Sequence, residues 1–242
     1  MEFRLRMAIN AVIILLGFWA PWIEYWGIGR RISLVEWLAL QVSRLGIASF
    51  SVATGALIAI AALFAAAGAM FRVWGTAYLG PTTVNSLRRI AGSVMSNGPY
   101  RYLRNPLYVG VWCMVAAMAF LMPATGAMFA IALMTLFMTR LTLGEEAFLE
   151  PKLGEPYQVY LRTVPRFIPR LRGAPQSTGV EAHWGRAVLA ELTPIGVLVA
   201  TIIFSRSYDP ALAGRIILVF FGASLVVRAF LPRTQVSSEQ AK

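Results

Sequence analysis

Residues 107–143 decide the fold: they read LYVGVWCMVAAMAFLM, then Pro123, then ATGAMFAIALMTLFMTRLTL. The two apolar runs, Leu107–Met122 and Ala124–Leu143, approach the roughly 20 residues that an α-helix needs to cross a bilayer. Proline interrupts a helix because it lacks an amide hydrogen and its ring clashes with the preceding turn. We therefore predict a tight hairpin of two membrane helices with Pro123 at the turn.

Four further apolar runs lie outward from this hairpin. They are Ala8–Trp26 and Gly46–Phe71 before it, and Ala187–Phe204 and Ala211–Leu231 after it. The segment Leu34–Leu45 is too short to span and is expected at the membrane surface. The predicted fold class is therefore all-α, a polytopic membrane protein with about six transmembrane helices and a cytoplasmic pocket over the hairpin.

The composition of the whole chain supports this class. Of its 242 residues, 58% are hydrophobic and 14% are charged, whereas soluble domains average about 45–50% and about 25%. A disordered chain needs low hydrophobicity, so disorder is excluded as well. The single cysteine, Cys113, and the single histidine, His183, exclude a disulfide framework and a metal site built from these residue types.

The charge pattern predicts an orientation. The net charge of +11 comes from 22 basic and 11 acidic residues, and the basic residues lie mainly at the ends of apolar runs. That placement favours loops at an anionic membrane surface over nucleic-acid binding. With the N-terminus inside, seventeen of the 22 basic residues fall on one side, so both termini and the active site should be cytoplasmic. Compact loops without glycosylation sequons favour a bacterial inner membrane.

Two long polar segments flank the hairpin, Arg72–Pro106 and Gly144–Arg186. Connections in helical bundles are commonly about 2–8 residues long, and much longer ones usually carry function or are disordered. These two are rich in aromatic residues, proline and glycine, which favours function. Because they flank the same two helices, they should meet at one end of the hairpin.

The first segment ends in GPYRYLRNPLYVG, residues 98–110. Asn105 and Pro106 suit the N-cap and the first position of a helix, and a helix N-terminus can hold a carboxylate or a phosphate. Three phenols, those of Tyr100, Tyr102 and Tyr108, lie nearby in sequence. An interfacial cap with a belt of aromatic side chains would explain the same residues equally well.

The second segment begins with adjacent acids, Glu145 and Glu146. On a helix they point about 100° apart, so at most one of them faces any one ligand. Arg140 precedes Glu145 by about one and a half turns, and a cation beside a carboxylate at a membrane mouth suits a charged ligand. The alternative is a solvated helix start with no ligand. Glu191, near the inner surface, is expected to snorkel, although an ionisable residue at membrane depth also invites a functional role.

These two segments together resemble the isoprenylcysteine carboxyl methyltransferase family and its bacterial relatives, whose pattern phospholipid N-methyltransferases share. The matching stretches are GPYRYLRNPLYVG, EEAFLEPKLGEPYQVY and RTVPRFIP, within residues 72–170. Asn105 stands where the family commonly has histidine, and asparagine cannot titrate. Any mechanism that uses that histidine as a base is therefore in doubt for this chain.

The resemblance implies that S-adenosylmethionine is the cofactor and that a lipophilic acceptor enters from the bilayer. It assigns the carboxylate of Glu145 to the cofactor's ammonium or sulfonium, with Glu146 as the fallback, and Arg140 to an acidic acceptor. Both Arg140 and Glu145 are thus predicted catalytic residues. The other predicted cofactor contacts are Ser93, Val94, Met95, Tyr100, Asn105, Pro106, Leu107 and Tyr108.

The expected reaction is methyl transfer from S-adenosylmethionine, with a carboxylate as the first choice of acceptor and a phospholipid amine or a thiol next. An ionised carboxylate needs no base, whereas an amine or thiol must lose a proton. Two alternatives stay open: an NADPH-dependent reductase of the sterol type, with Arg101, Arg104, Arg162 and Arg166 on the 2′-phosphate, or a non-enzymatic scaffold. The predicted domains are N-terminal helices (1–71), a catalytic core (72–172), and a linker with two C-terminal helices (173–242).

Overall fold

The computed structural model describes residues 2–19, 32–79, 97–170 and 181–230. Within these ranges the regular structure is helical, apart from one isolated bridge between Ser33 and Pro123, so the all-α class is confirmed. The helices are α1 (Glu2–Phe18), α2 (Leu34–Arg44), α3 (Phe50–Leu79), α4 (Pro106–Ala119), α5 (Ala124–Leu153), α6 (Glu155–Thr163), α7 (Trp184–Ala190), α8 (Leu192–Ser207) and α9 (Pro210–Phe230), with a 3₁₀ turn at Gly98–Arg101 before α4.

Three of the described helices, α3, α5 and α9, are long and apolar enough to cross a membrane. The pair α7–α8 makes a fourth span if it is counted as one broken span, while Leu5–Phe18 and Pro106–Ala119 are apolar but shorter. The described residues thus support three to four spans by length and composition. The number six stays a prediction, and residues 20–26 of the first predicted span lie outside the described residues.

The predicted span Ala187–Phe204 is wrong in one respect, because the chain bends by 69° between α7 and α8. The break lies at Glu191, which precedes the first turn of α8. Pro194 lies in that turn, where a proline is tolerated. In a continuous helix its ring would clash with the carbonyl of Ala190 and its missing N–H would leave a bond unmade, so the helix restarts instead.

The hairpin is present, since α4 and α5 are consecutive helices that pack together and α5 begins directly after Pro123. Its first helix ends at Ala119, before the predicted Met122, and is shorter than the described helices that could cross a membrane. The first residues of α2 dock on the hairpin turn, since the amides of Leu34 and Val35 donate to the carbonyls of Met122 and Phe120 at 2.8 and 3.1 Å. At its other end α5 continues past the apolar run to Leu153. The two adjacent acids therefore lie on a rigid helix.

Glycines allow α3 and α4 to pack closely. A Cβ added to Gly68 would lie 3.0 Å from the carbonyl oxygen of Gly110, and one on Gly110 would lie 2.7 Å from Cγ of Arg72. Without side chains at these two positions the backbones approach each other, as in other close helix pairs of membrane proteins. The contact brings the stem of Arg72 against α4.

The first helix and the C-terminal helices pack on opposite sides of α3, α4 and α5. On one side α1 packs against α5, with Ile13, Met138 and Leu141 in one buried core. On the other side the C-terminal helices pack against α3, where the amide of His183 donates to the carbonyl of Ala77 at 2.9 Å. Helices from both ends of the chain therefore flank the hairpin.

Candidate functional site

The two polar segments meet at one end of the hairpin, as the sequence predicts. The amide of Arg104 donates to the carbonyl of Pro165, and the amide of Arg170 to that of Tyr102, both at 2.9 Å. The Tyr160 hydroxyl donates to the carbonyl of Tyr100, also at 2.9 Å. We refer to residues 97–105 and 154–170 together as the loop face.

A sharp reversal at Gly154 folds the second segment back. Its φ of +62° lies in the left-handed region that glycine adopts without strain, and α6 follows at once. Tyr157, Tyr160 and Val164 then pack with Leu149 of α5 in a small buried core. Burial raises the pKa of Tyr157 to about 12 and the pKa of Tyr160 further, so both phenols stay protonated at neutral pH.

Glu146 ties the loop face together. Its carboxylate accepts from Nη1 of Arg104 at 2.8 Å and from Nη2 of Arg166 at 2.7 Å, and the residue is 9% exposed. Both arginines are thereby directed at one acidic side chain. Glu146, the second choice from the sequence for binding the cofactor, is therefore engaged in ion pairs within the protein.

Glu145 points elsewhere and accepts a hydrogen bond from the Tyr108 hydroxyl. Tyr108 lies in the first turn of α4 and is buried, while Glu145 on α5 is half-buried. The 100° between adjacent helical residues separates the two carboxylates as expected. Glu145, the first choice from the sequence, is therefore the carboxylate that belongs with the predicted tyrosine.

Arg6 of α1 also reaches this pair. Its guanidinium forms a hydrogen bond with the Tyr108 hydroxyl and interacts electrostatically with Glu145. The sequence analysis counts Arg6 among the basic residues on the inner side and assigns it no part in the site. The signal that could have found it is an arginine inside the second turn of an otherwise apolar helix.

Arg140, the predicted acceptor residue, is exposed on α5. Five residues along a helix correspond to about 500°, so Arg140 lies roughly 140° around the helix from Glu145. The structure therefore does not bring Arg140 onto the face that Glu145 and Tyr108 share. Its role toward the acceptor stays a prediction.

The start of α4 differs from the expectation in one detail. Pro106 occupies the first helical position as predicted, but the Asn105 side chain makes no capping hydrogen bond. Its Nδ2 instead donates to the carbonyl of Arg166 at 3.4 Å, because residues 154–170 fold back beside it. The Asn105 side chain thus leaves the amides of the first turn, which include Leu107 and Tyr108, available to an anionic group.

Tyr100 is the other predicted residue with an unusual environment. Its hydroxyl is buried and has no hydrogen-bond partner among the described residues, and it faces α3, 3.5 Å from where a Cβ on Gly75 would lie. Burial raises the pKa of Tyr100 well above its ordinary value, so it remains a donor. A buried donor without a partner costs free energy, which is reason to expect a ligand atom there.

A second ion pair was missed by sequence reasoning. Arg72 donates to both carboxylate oxygens of Glu191, at 2.8 and 2.7 Å, and the Thr76 hydroxyl donates to the same group at 2.6 Å. Glu191 is 2% exposed, so the expectation that it snorkels is wrong. A guanidinium from α3 compensates its charge inside the protein, which removes the need to reach water.

Ser93, Val94 and Met95 lie outside the described residues. Their predicted contact with the cofactor therefore stays a prediction. The described part of the site is the Tyr108–Glu145 pair, with Arg6, the open amides at the start of α4 and the Tyr100 hydroxyl.

These features define an integral membrane protein in which two polar segments close over one end of a helical hairpin. Residues 56–155 match the family model described as phospholipid methyltransferase, which confirms the resemblance drawn from the motifs. The matched segment runs from α3 to the first residue of α6 and indicates a membrane methyltransferase. No curated protein and no solved structure matches the chain.

Proposed function

We propose that this protein transfers a methyl group from S-adenosylmethionine to a lipophilic small acceptor that enters from the bilayer. The observation that carries the proposal is the Tyr108–Glu145 hydrogen bond at the loop end of the hairpin, inside the segment that matches the methyltransferase family. A scaffold protein would not need a buried tyrosine and a carboxylate side by side at one end of the hairpin. Membrane lipids are the expected surroundings, and nothing in the proposal calls for nucleic acid.

The residues present fit the chemistry of this cofactor, which combines a cation, a carboxylate and polar adenosine groups. Glu145 would face the ammonium or sulfonium. The open amides of Leu107 and Tyr108 would hold the carboxylate, as helix N-termini hold anions. The unpartnered Tyr100 hydroxyl supplies a further donor. Ser93, Val94, Met95 and Asn105 complete the proposed contacts by resemblance.

When bound, the cofactor supplies an electrophilic methyl group, and the chain supplies alignment and the exclusion of water. Tyr108 is 8% exposed, so its hydroxyl holds the Glu145 carboxylate in a setting with little water. An acceptor that is already ionised needs no base, and this favours a carboxylate acceptor. We propose that Arg140, exposed on α5, meets the acidic group of such an acceptor at the lipid edge.

A phospholipid amine is the second candidate acceptor, because the matching family is described as phospholipid methyltransferase. An ammonium acceptor must lose a proton before it can attack. Of the two adjacent acids, Glu145 is the one available to accept that proton, because Glu146 is engaged by two arginines. A thiol acceptor would need the same help.

The reductase alternative loses its main support. It required basic side chains gathered for a 2′-phosphate, yet Arg104 and Arg166 both donate to Glu146. A phosphate would have to displace that carboxylate from both guanidinium groups.

The proposed location is the inner membrane of a bacterium, with both termini and the loop face in the cytoplasm. The distribution of arginine and lysine supports this orientation. It also places the site where S-adenosylmethionine is made.

The test is ligand binding by the full chain in mild detergent. Labelled S-adenosylmethionine and labelled NADPH are compared side by side, with S-adenosylhomocysteine as competitor. We expect saturable binding of the methyl donor, displaced by the competitor and weakened about tenfold or more by Glu145→Gln, since a hydrogen bond to a charged group is lost. Glu155→Gln, at an exposed acid in α6, is the matched control and should bind as the wild type does.

Acceptors are then compared in nanodiscs: a prenylated cysteine carboxylate, phosphatidylethanolamine and a long-chain thiol. Methylation of the carboxylate supports the first choice, and methylation of the amine moves the assignment to the phospholipid. Binding of NADPH without the methyl donor would refute the transferase.

A further inference from the structure

We propose that Arg6 is a positioning residue of the methyl-donor site, and that it acts by holding the Tyr108 hydroxyl and the Glu145 carboxylate in place. This inference rests on the proposed function. It extends the site beyond the matched segment, because α1 lies wholly outside residues 56–155.

The packing of α1 directs Arg6 toward the site. Ile13 is 2% exposed and shares a buried core with Met138 and Leu141 of α5. Residues seven apart lie on nearly the same side of a helix, so Arg6 faces α5 about two turns nearer the loop face. A helical side chain also leans toward the N-terminus of its helix, which carries the guanidinium farther in that direction.

Further along, α1 is held tightly against α5. The carbonyl oxygen of Gly17 occupies the space that a Cβ on Gly126 would need. Such backbone contact leaves α1 little freedom to slide along α5, so the level of Arg6 is set by the helix as a whole. Its half-buried side chain then meets Tyr108 of α4 and Glu145 of α5.

The three groups have complementary chemistry. The Tyr108 hydroxyl donates its one proton to Glu145, and the phenol oxygen keeps lone pairs that can accept from a guanidinium. Arg6 also supplies the positive charge that a half-buried carboxylate needs. Three helices therefore contribute one group each, and removing any one of them should release the other two.

In this arrangement the arginine that interacts with Glu145 is Arg6, whereas the sequence suggested Arg140. The sequence separation of 139 residues hides Arg6, while Arg140 is near in sequence but on another face of α5. A lysine at position 6 would keep the charge but lose the planar donor geometry that reaches two groups at once.

The experiment is a double-mutant cycle on donor binding, with Arg6→Gln, Glu145→Gln and the double variant of the full chain in detergent. Arg6→Gln should weaken binding of labelled S-adenosylmethionine about tenfold or more, as expected when a hydrogen bond from a charged group is lost. On the Glu145→Gln background the same change should add less than about twofold, because it acts through that carboxylate. Arg6→Lys should be weakened about threefold or more.

The control is Arg215→Gln, at an exposed arginine of α9, which should bind the donor as the wild type does. Size-exclusion profiles and melting temperatures check that each variant folds, and Arg6→Lys replaces Arg6→Gln in the cycle if the latter does not. In methyl-transfer assays of Arg6→Gln, the KM for the donor should rise by a larger factor than kcat falls. A general loss of folded protein would lower kcat and leave KM unchanged.

Two failures are distinguishable. No donor binding by the wild-type protein overturns the proposed function, and this inference with it. Wild-type binding that Arg6→Gln or Arg6→Lys leaves within twofold overturns the assignment of Arg6 alone. Independent effects that multiply in the double variant would also overturn it, because Arg6 would then act without Glu145.

Discussion

Replacement of Glu191 by glutamine tests how the C-terminal helices are joined to α3. In the native protein the Glu191 carboxylate accepts three hydrogen bonds, two from Arg72 and one from Thr76. Glutamine has the same shape but turns an NH₂ group toward one of these donors. It also leaves the Arg72 guanidinium, which is 15% exposed, without its countercharge.

Removing one member of a buried ion pair costs about 3–5 kcal/mol. For a chain of 150–250 residues, 1 kcal/mol lowers the melting temperature by about 2–4 °C. Glu191→Gln should therefore lower the melting temperature by roughly 6–20 °C. Tryptophan fluorescence during heating in detergent measures the change, and Glu155→Gln serves as the exposed-acid control.

A second variant separates the loss of charge balance from the loss of packing. When an apolar pair replaces a buried ion pair, stability is often unchanged or higher. Arg72→Met combined with Glu191→Leu should therefore melt above Glu191→Gln, while the Thr76 hydroxyl bonds the carbonyl one turn earlier. A loss of stability of less than about 1 kcal/mol for Glu191→Gln would show that the ion pair does not hold these helices together. A double variant that melts no higher than Glu191→Gln would show the same.

Three further predictions concern the packing and the loop face. Gly110→Ala should lower stability by about 1–3 kcal/mol, because its methyl group meets Arg72 Cγ; a melting temperature equal to the wild type would contradict this. Glu146→Gln should speed limited proteolysis within residues 154–170, because Arg104 and Arg166 lose their shared partner; an unchanged cleavage rate would argue against it. Stability should be constant below pH 10 and fall as the pH rises toward 12, because burial raises the pKa of Tyr157 to about 12 in the folded protein, above the pKa of the unfolded chain. Tyr157→Phe should make the fall in melting temperature between pH 10 and 12 smaller, while the buried phenols of Tyr100 and Tyr160 account for the remainder. An identical slope would exclude Tyr157 as a cause.

The hairpin could be predicted from the sequence because its determinants are local. Apolar length decides whether a helix can cross a bilayer, and Pro123 interrupts the run at one place. The meeting of the two polar segments followed from the same logic, since they flank the same two helices. The predicted helix start at Pro106 was likewise a matter of residue type and position.

The interior of the site was less predictable because its contacts are long-range. Residue spacing showed that Glu145 and Glu146 must diverge, but not which one would meet Tyr108. That choice depends on Arg104 and Arg166, which engage Glu146 only after the loop face has closed. The Asn105 side chain likewise bonds to Arg166 of the second segment instead of capping α4.

The class of the protein follows from its amino-acid sequence, which shows an apolar helical chain, a proline-centred hairpin and the motifs of a membrane methyltransferase. Which charges meet depends on the folded arrangement, since Arg6 approaches Glu145 and Arg72 pairs with Glu191 across more than a hundred residues. The physical reason is that apolar length and helix breaking act between neighbours in the chain. The pairing of charges depends instead on which helix faces pack together.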